Sequence, residues 1–435
     1  MSMWKRLLVA VAVVAMAIPA FSAVESVKVG GDITIYGIKR ANMYMPWVGN
    51  EAIYGMNEDS LDWLQTSARV YVQAMLTDNI EAMVRLINER VWWGPVNSEA
   101  DYYSRGVENM LDLAYIKVSD LLTPGLVLTV GRQEIQFGEG LVVGSAYLPN
   151  SPLGNVYPGV ALAAQDLGLQ KAFDAIRLDY TFNQVPVDVT AFMAKIEETF
   201  SNEDLNLYGV NLGYKAGDVA RIEGYYVRLQ NMGETTYNDN IATAGVRATG
   251  SVAGFDLKGE YARQFGKWDV WGSKQDNEGW ALLLGGQYNF PQSAMKAYLK
   301  AQLNLYSGYD GGNDNTGWIS YFPSNVASRV GAINYILALY NPIDYLSNAR
   351  IINVGGGIRP VEKVGLSLDW FNATLMEDRL DEDAVGNEID AALTYNYSED
   401  LTFGLQYGIL LRGDYTKHFI SDDPWQLIGS MKVVF

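Results

Sequence analysis

Over most of the chain, apolar and polar residues alternate one by one. Residues 62–76 set Leu64, Thr66, Ala68, Val70, Val72, Ala74 and Leu76 on one parity, against Gln65, Ser67, Arg69, Tyr71 and Gln73 on the other. Residues 295–306 repeat this, with Leu299, Ala301, Leu303 and Leu305 between Tyr298, Lys300, Gln302, Asn304 and Tyr306. A period of two puts each set on one face of a β-strand. Eighteen segments follow the pattern: 27–39, 62–76, 80–92, 110–118, 125–135, 172–182, 187–196, 205–215, 219–229, 241–251, 254–265, 279–290, 294–306, 348–359, 363–374, 387–397, 400–411 and 425–435. Most are close to the ~9–11 residues that a tilted strand needs to cross a bilayer.

The connections alternate as well. Residues 77–79, 183–186, 216–218, 291–293 and 398–399 are short turns, whereas 40–61, 93–109, 136–171, 266–278, 307–347, 375–386 and 412–424 are long. Short turns at one end and long loops at the other describe an outer-membrane barrel. The prediction is an all-β, transmembrane, antiparallel up-and-down barrel of about 18 strands with both termini periplasmic. A soluble sandwich or propeller also alternates, but its connections need not sort by length. The last segment sets Trp425, Leu427, Gly429, Met431, Val433 and Phe435 on one parity. Such a closing strand, ending in Phe435, resembles the assembly signal of bacterial outer-membrane barrels, so the outer-membrane assembly machinery is an expected partner.

The start of the chain has a different pattern. Lys5 and Arg6 precede an uncharged apolar run from Leu7 to Ile18, followed by small residues up to Ala23. This is the layout of a secretory signal peptide, and the run is too short for a spanning helix. The expected division is a signal peptide at 1–22 and an outer-membrane barrel at 23–435.

Composition narrows the function. The 435 residues carry a net charge of −18, no Cys and one His. Zinc-finger, Cys-nucleophile and His-cluster chemistry are therefore excluded. An acidic balance argues against nucleic acid as a partner, since phosphate binding needs a basic footprint. Nothing calls for a cofactor or a resident metal. Asp310, Asn313, Asp314 and Asn315 form an oxygen-rich loop without the spacing of a calcium-binding loop. Glu377, Asp378, Asp381, Glu382 and Asp383 read as a solvated loop. The expected partners are outer-membrane lipid, lipopolysaccharide, and a hydrophilic solute.

The polar parity of each strand supplies the candidate lumen. Its basic members are Arg69, Arg85, Arg177, Arg221, Arg247, Lys258, Lys296 and Lys300. Its acidic members include Glu81, Glu89, Asp179, Glu223, Asp256, Glu260, Asp369, Glu388 and Asp390. A basic ladder in a narrow passage attracts and orients anions. The same residues could instead neutralise one another within the wall, as in Glu81 with Arg85, Arg221 with Glu223, and Lys258 with Asp256 and Glu260. Aromatics near strand ends, among them Tyr36, Trp92, Trp93, Phe182, Trp280, Tyr288, Tyr395 and Trp425, are candidates for interfacial girdles.

Three functional classes compete. The first is a channel passing hydrophilic solutes, anionic saccharides among them. The second is a structural or adhesion barrel plugged by its own loops. The third is an enzyme, which would have to use His418, the one His, and no Ser stands in a motif that points to it. The expectation is a channel and no enzyme.

Certain motifs resemble the alginate-export family of outer-membrane channels. They are Gly131-Arg132-Gln133-Glu134-Ile135-Gln136-Phe137-Gly138-Glu139-Gly140, then Phe173-Asp174-Ala175-Ile176-Arg177, then Gly386-Asn387-Glu388-Ile389-Asp390, with Leu401-Thr402 and Tyr407-Gly408 after it. The resemblance implies an 18-stranded barrel whose Arg-rich bore passes an anionic polyuronate. It adds Arg132 to the candidate solute-binding residues and supports Arg177.

Overall fold

The computed structural model describes residues 24–42, 60–92, 110–146, 167–198, 204–231, 240–270, 273–312, 314–324 and 347–435. The segment expected to be a signal peptide and Trp93 lie outside these residues. The first half of the wall is β1 (Ser26–Ala41), β2 (Ser60–Thr77), β3 (Ile80–Val91), β4 (Met110–Val118), β5 (Leu126–Gln133), β6 (Phe173–Thr181), β7 (Val187–Glu198), β8 (Asp204–Ala216) and β9 (Ala220–Asn231). The second half is β10 (Asn240–Val252), β11 (Phe255–Val270), β12 (Ser273–Asp276), β13 (Trp280–Asn289), β14 (Tyr298–Tyr306), β15 (Ala349–Val361), β16 (Val364–Arg379), β17 (Glu382–Asn396), β18 (Leu401–Arg412) and β19 (Trp425–Val434). One helical turn, α1 (Asp414–Lys417), precedes β19.

Each strand pairs antiparallel with its neighbours in sequence, and β1 pairs with β19 from Asp32↔Val434 to Ala41↔Trp425. The sheet therefore closes. Strands β12 and β13 both pair with β11 and share one position in the wall, so the barrel has 18 strands. Closure leaves no unpaired edge, which lets a sheet sit in lipid without bare backbone groups.

Parity holds around the whole circumference. Val70, Val84, Ile116, Val130, Ile176, Val210, Ile222, Val246, Leu257, Leu284 and Leu299 are exposed on the outer face. Their sequence neighbours face the bore. At the short-turn end, Tyr180 with Phe182, Phe255 with Tyr288, and Tyr395 with Phe403 pack their rings together, as an interfacial girdle does. Tyr36 departs from the girdle expectation. It stands opposite Gln65 and Ser430 on the inward parity and packs near Ile38 and Trp63.

Two expected loops are strands. Residues 375–386 continue β16 and β17 into a tight hairpin, turned at Leu380 and Asp381 with φ of 55° and 63°. Residues 266–278 mostly extend β11 and form β12. Acidic composition reads as loop, but a polar hairpin rising above the bilayer is equally acidic.

Because Leu284 sits mid-strand on the outer face, between Gly259 and Leu303, Leu284→Arg would place a charge in hydrocarbon. The expected cost is about 2–4 kcal/mol of folding stability. Denaturant titration of the barrel in vesicles measures it, and an unmoved midpoint would contradict this assignment of the lipid face.

Candidate functional site

Cross-strand geometry decides where most of the luminal charges go, with Arg177–Asp179 and Arg221–Glu223 pairing along one strand. Directly opposed side chains on neighbouring strands lie closer than residues two apart on one strand. Arg69 meets Asp32 at 2.8 Å across β1 and β2. Arg85 pairs with Asp112, which a bulge in β4 turns inward, and with Glu134 at 2.6 Å. Glu81, the expected partner of Arg85, instead accepts a hydrogen bond from the Tyr115 hydroxyl. Arg177 binds Asp179 at 2.8 Å, and Lys300 binds Asp369 at 2.7 Å. Arg221 makes a two-pronged contact with Asp188, at 2.7 and 2.8 Å, and touches Glu223 at 3.2 Å.

Several of these contacts reach across a strand, and glycine makes the room. A Cβ on Gly213 of β8 would fall 2.2 Å from Arg221 and 2.7 Å from Asp188. One on Gly355 of β15 would fall 2.0 Å from Asp369, where Lys300 of β14 arrives from the other side. Gly245 of β10 leaves space for Tyr225 of β9 to donate its hydroxyl to Glu260 of β11 at 2.6 Å.

Two expected members of the ladder are elsewhere. Arg132 lies opposite Ala114 and Asp174 on the outward parity, with Ile116, Val130 and Ile176, and pairs with Asp174 at 2.8 Å. Strand β5 keeps its alternation there, so Arg132 is not luminal. Lys296 is exposed in the turn before β14, with φ of 47°, because that strand begins at Tyr298. The remaining seven basic residues face the bore.

The described parts of two long connections fold into the bore. Residues 134–146, after β5, and 307–324, after β14, run side by side there. Gly144 N–H donates to Phe322 C=O at 2.8 Å, and Ser324 N–H to Gly140 C=O at 2.9 Å. Ile135, Phe137, Leu141, Val143, Trp318, Ile319 and Phe322 are buried against inward wall residues such as Phe192, Leu207, Tyr225, Leu283 and Phe371. The Phe137 and Phe192 rings meet edge-on at 5.2 Å. The long-loop half of this wall is thus covered by apolar packing, and the short-turn half stays polar.

Glu139 marks the boundary between the two halves. Gly138 and Gly140 flank it with φ of 58° and 75°, so the chain turns sharply and drives the side chain down the bore. Its carboxylate accepts from Arg247 Nε at 2.9 Å, again from Arg247 Nη2, and from Lys258 Nζ at 2.7 Å. Its backbone N–H donates to Glu260. Burial raises the Glu139 pKa, but the bonds and charges of Lys258 and Arg247 outweigh burial and hold it below the usual carboxylate value. A continuous alternation of charge results: Lys258, Glu139, Arg247, Glu223, Arg221, Asp188.

Below Glu139 a cavity of about 730 Å³ opens towards the turn at residues 217–219. Arg221, Arg247, Lys258 and Lys300 line it, with Gln302 and Asn353. Glu139, Asp188 and Asp112 were not among the candidates named from the sequence. Two glycines bracketing a single acid was the available signal for Glu139. Among the described residues no group of three His, Cys, Asp or Glu side chains could hold a metal ion. His418 is exposed at the end of α1 beside Phe419.

The family model for alginate export matches residues 48–418. In fold the chain is similar to Pseudomonas aeruginosa OccK5 (OpdH), at 12% identity and a TM-score of 0.57, covering 95% of this chain and 99% of that one. It is similar to P. aeruginosa OpdK with vanillate, at 11% identity and a TM-score of 0.60, covering 95% and 100%. Acinetobacter baumannii OccAB2 gives 9% identity, a TM-score of 0.58, and coverage of 95% and 99%. Identities this low speak for a shared fold alone. No curated protein matches the chain in sequence. The family consists of channels rather than enzymes, and the closed 18-strand wall is that of an outer-membrane barrel. With its model matched over most of the sequence, the chain belongs to the alginate-export family of outer-membrane, porin-like channels.

Proposed function

We propose that the bore passes hydrophilic anionic solutes, carboxylate-bearing saccharides foremost, by passive diffusion or export, and that both termini face the periplasm after removal of residues 1–22. The observation that carries this reading is the grip of Arg247 and Lys258 on the Glu139 carboxylate. The protein's own loop supplies the chemical group that a uronate would bring. Arg221 and Lys300 line the same cavity and extend the basic path. Their pairing with wall acids keeps each contact weak enough to release a solute, which conduction requires.

Reversal potential in a salt gradient across a planar bilayer tests this reading. The wild type is expected to prefer anions, and Arg247→Gln with Lys258→Gln is expected to move the potential towards cation preference. A cation-selective wild type would overturn the anionic reading and leave a general porin.

A further inference from the structure

The outer face is divided by height. From the short turns upward, the outward strand positions among the described residues are uncharged through the apolar band, as the paired registers of all strands place them. Charges enter that face only near the long connections. Lys39, Arg90, Arg228, Arg263, Lys267 and Arg350 are exposed there, each within a few residues of its strand's long-loop end or on the upper part of β11. The pairs Arg132 with Asp174 and Lys195 with Asp204 occupy the same level. Acids are fewer on this face. Asp62 stands opposite Lys39, Glu278 meets Arg263 at 3.1 Å, and Asp276 pairs with Lys267. Exposed pairs of this kind are worth only about 0–1 kcal/mol and exchange readily with another anion.

The collar is densest over β9 to β11. Arg228 shares a row with Ala242, Arg263 with Ala244, and Lys267 with Asn240. Strands lie about 4.8 Å apart and rise about 3.4 Å per residue, so Arg228 and Arg263, two strands and two residues apart, leave their backbones about 12 Å from each other across the alanine strand. Their side chains are long enough to close on one phosphate from both sides. In the same two rows, on the opposite diagonal, Tyr226 faces Ala244 and Phe265 faces Ala242, and their rings stand 6.1 Å apart over these alanines. Cationic side chains interleaved with aromatic rings at the edge of the apolar band match a lipid with an anionic headgroup and acyl chains.

We propose that this collar binds the phosphate groups of a phosphorylated glycolipid, the lipopolysaccharide of the outer leaflet, with Arg228, Arg263 and Lys267 as its main site. Three features favour this occupant. The long-loop end of an outer-membrane barrel faces outwards, where lipopolysaccharide resides. Among the described outer-face residues named above, basic side chains outnumber acidic ones by eight to five. Extended Arg and Lys side chains at the edge of an apolar band hold their charge at headgroup level.

The test titrates lipid A with two phosphates into the full-length mature barrel in zwitterionic nanodiscs and reads bound lipid by native mass spectrometry. Heat-modifiable electrophoretic mobility confirms folding. The triple variant R228Q/R263Q/K267Q is expected to bind at least tenfold more weakly, and dephosphorylated lipid A is expected to bind the wild type as weakly. Should the triple variant fail to fold, Arg228→Gln alone is expected to lose about threefold, while Arg228→Lys retains binding. Equal binding by wild type and variant would overturn the proposal. So would phosphatidylglycerol binding as tightly as lipid A.

Discussion

Glu139→Gln is expected to raise anion over cation permeability about fivefold, because removing one unit charge from a wet bore shifts its potential by about 1 kcal/mol. The amide is isosteric and still accepts a hydrogen bond, so the loop keeps its place while Arg247 and Lys258 lose their counter-charge. Arg247 retains Glu223 as a partner, which leaves Lys258 as the group most available to a solute. Single-channel recording with potassium chloride, repeated with an oligouronate as blocker, reads both effects. Unchanged selectivity would mean that Glu139 does not shape the field along the path.

Acidification should mimic this variant over a defined range. The Glu139 pKa in the folded barrel is depressed, so its contacts are fully formed above the ordinary carboxylate value and are lost only as pH falls through the depressed one. The Glu139-dependent part of conductance and selectivity, read as the difference between wild type and Glu139→Gln, is therefore expected to stay level from neutral pH through the ordinary carboxylate range. The change should come below that range in the wild type and be missing from Glu139→Gln. A transition at or above the ordinary Glu value that is present in the wild type and absent from Glu139→Gln would contradict the pairing with Lys258 and Arg247.

The wall was legible in the sequence because lipid on one side and water on the other force a two-residue period. Slipping a strand by one position would turn its polar or charged face to lipid. By that constraint Arg69, Arg85, Arg177, Arg221, Arg247, Lys258 and Lys300 point inward, and in the structure they pair with acids there. Arg132 shows the same rule overriding a motif. Its parity goes with Leu126, Leu128 and Val130, and the structure keeps it there. Pairing was less legible. Arg85 and Lys258 take partners from a bulge in the neighbouring strand and from an inserted loop, and linear spacing carries no record of register. The loop contribution was least legible, because Glu139 and Trp318 sit in connections without a period. The unusual length of connections 136–171 and 307–347 was the main hint that one of them folds into the bore, with the glycines around Glu139 beside it.

Trp318→Ala combined with Phe137→Ala is expected to release the inserted loops while leaving the wall folded. Trp318 is fully buried and donates its indole N–H to Ser320 at 2.9 Å, and Phe137 is nearly as buried between Phe192 and Tyr225. Each truncation costs about 3–5 kcal/mol where the cavity cannot collapse. The solvated ion pairs of Glu139 offer much less, about 0–1 kcal/mol for exposed pairs and somewhat more where partly buried. Apolar packing therefore positions the loops, and the carboxylate tunes the charge of the path they leave. The double variant should show larger, noisier conductance and new protease cleavage within 134–146 and 307–324 in liposomes. Its heat-modifiable mobility should match the wild type, because the closed hydrogen-bonded wall does not depend on the fill. Identical conductance in the two proteins would place the resistance of the pore elsewhere than in these loops.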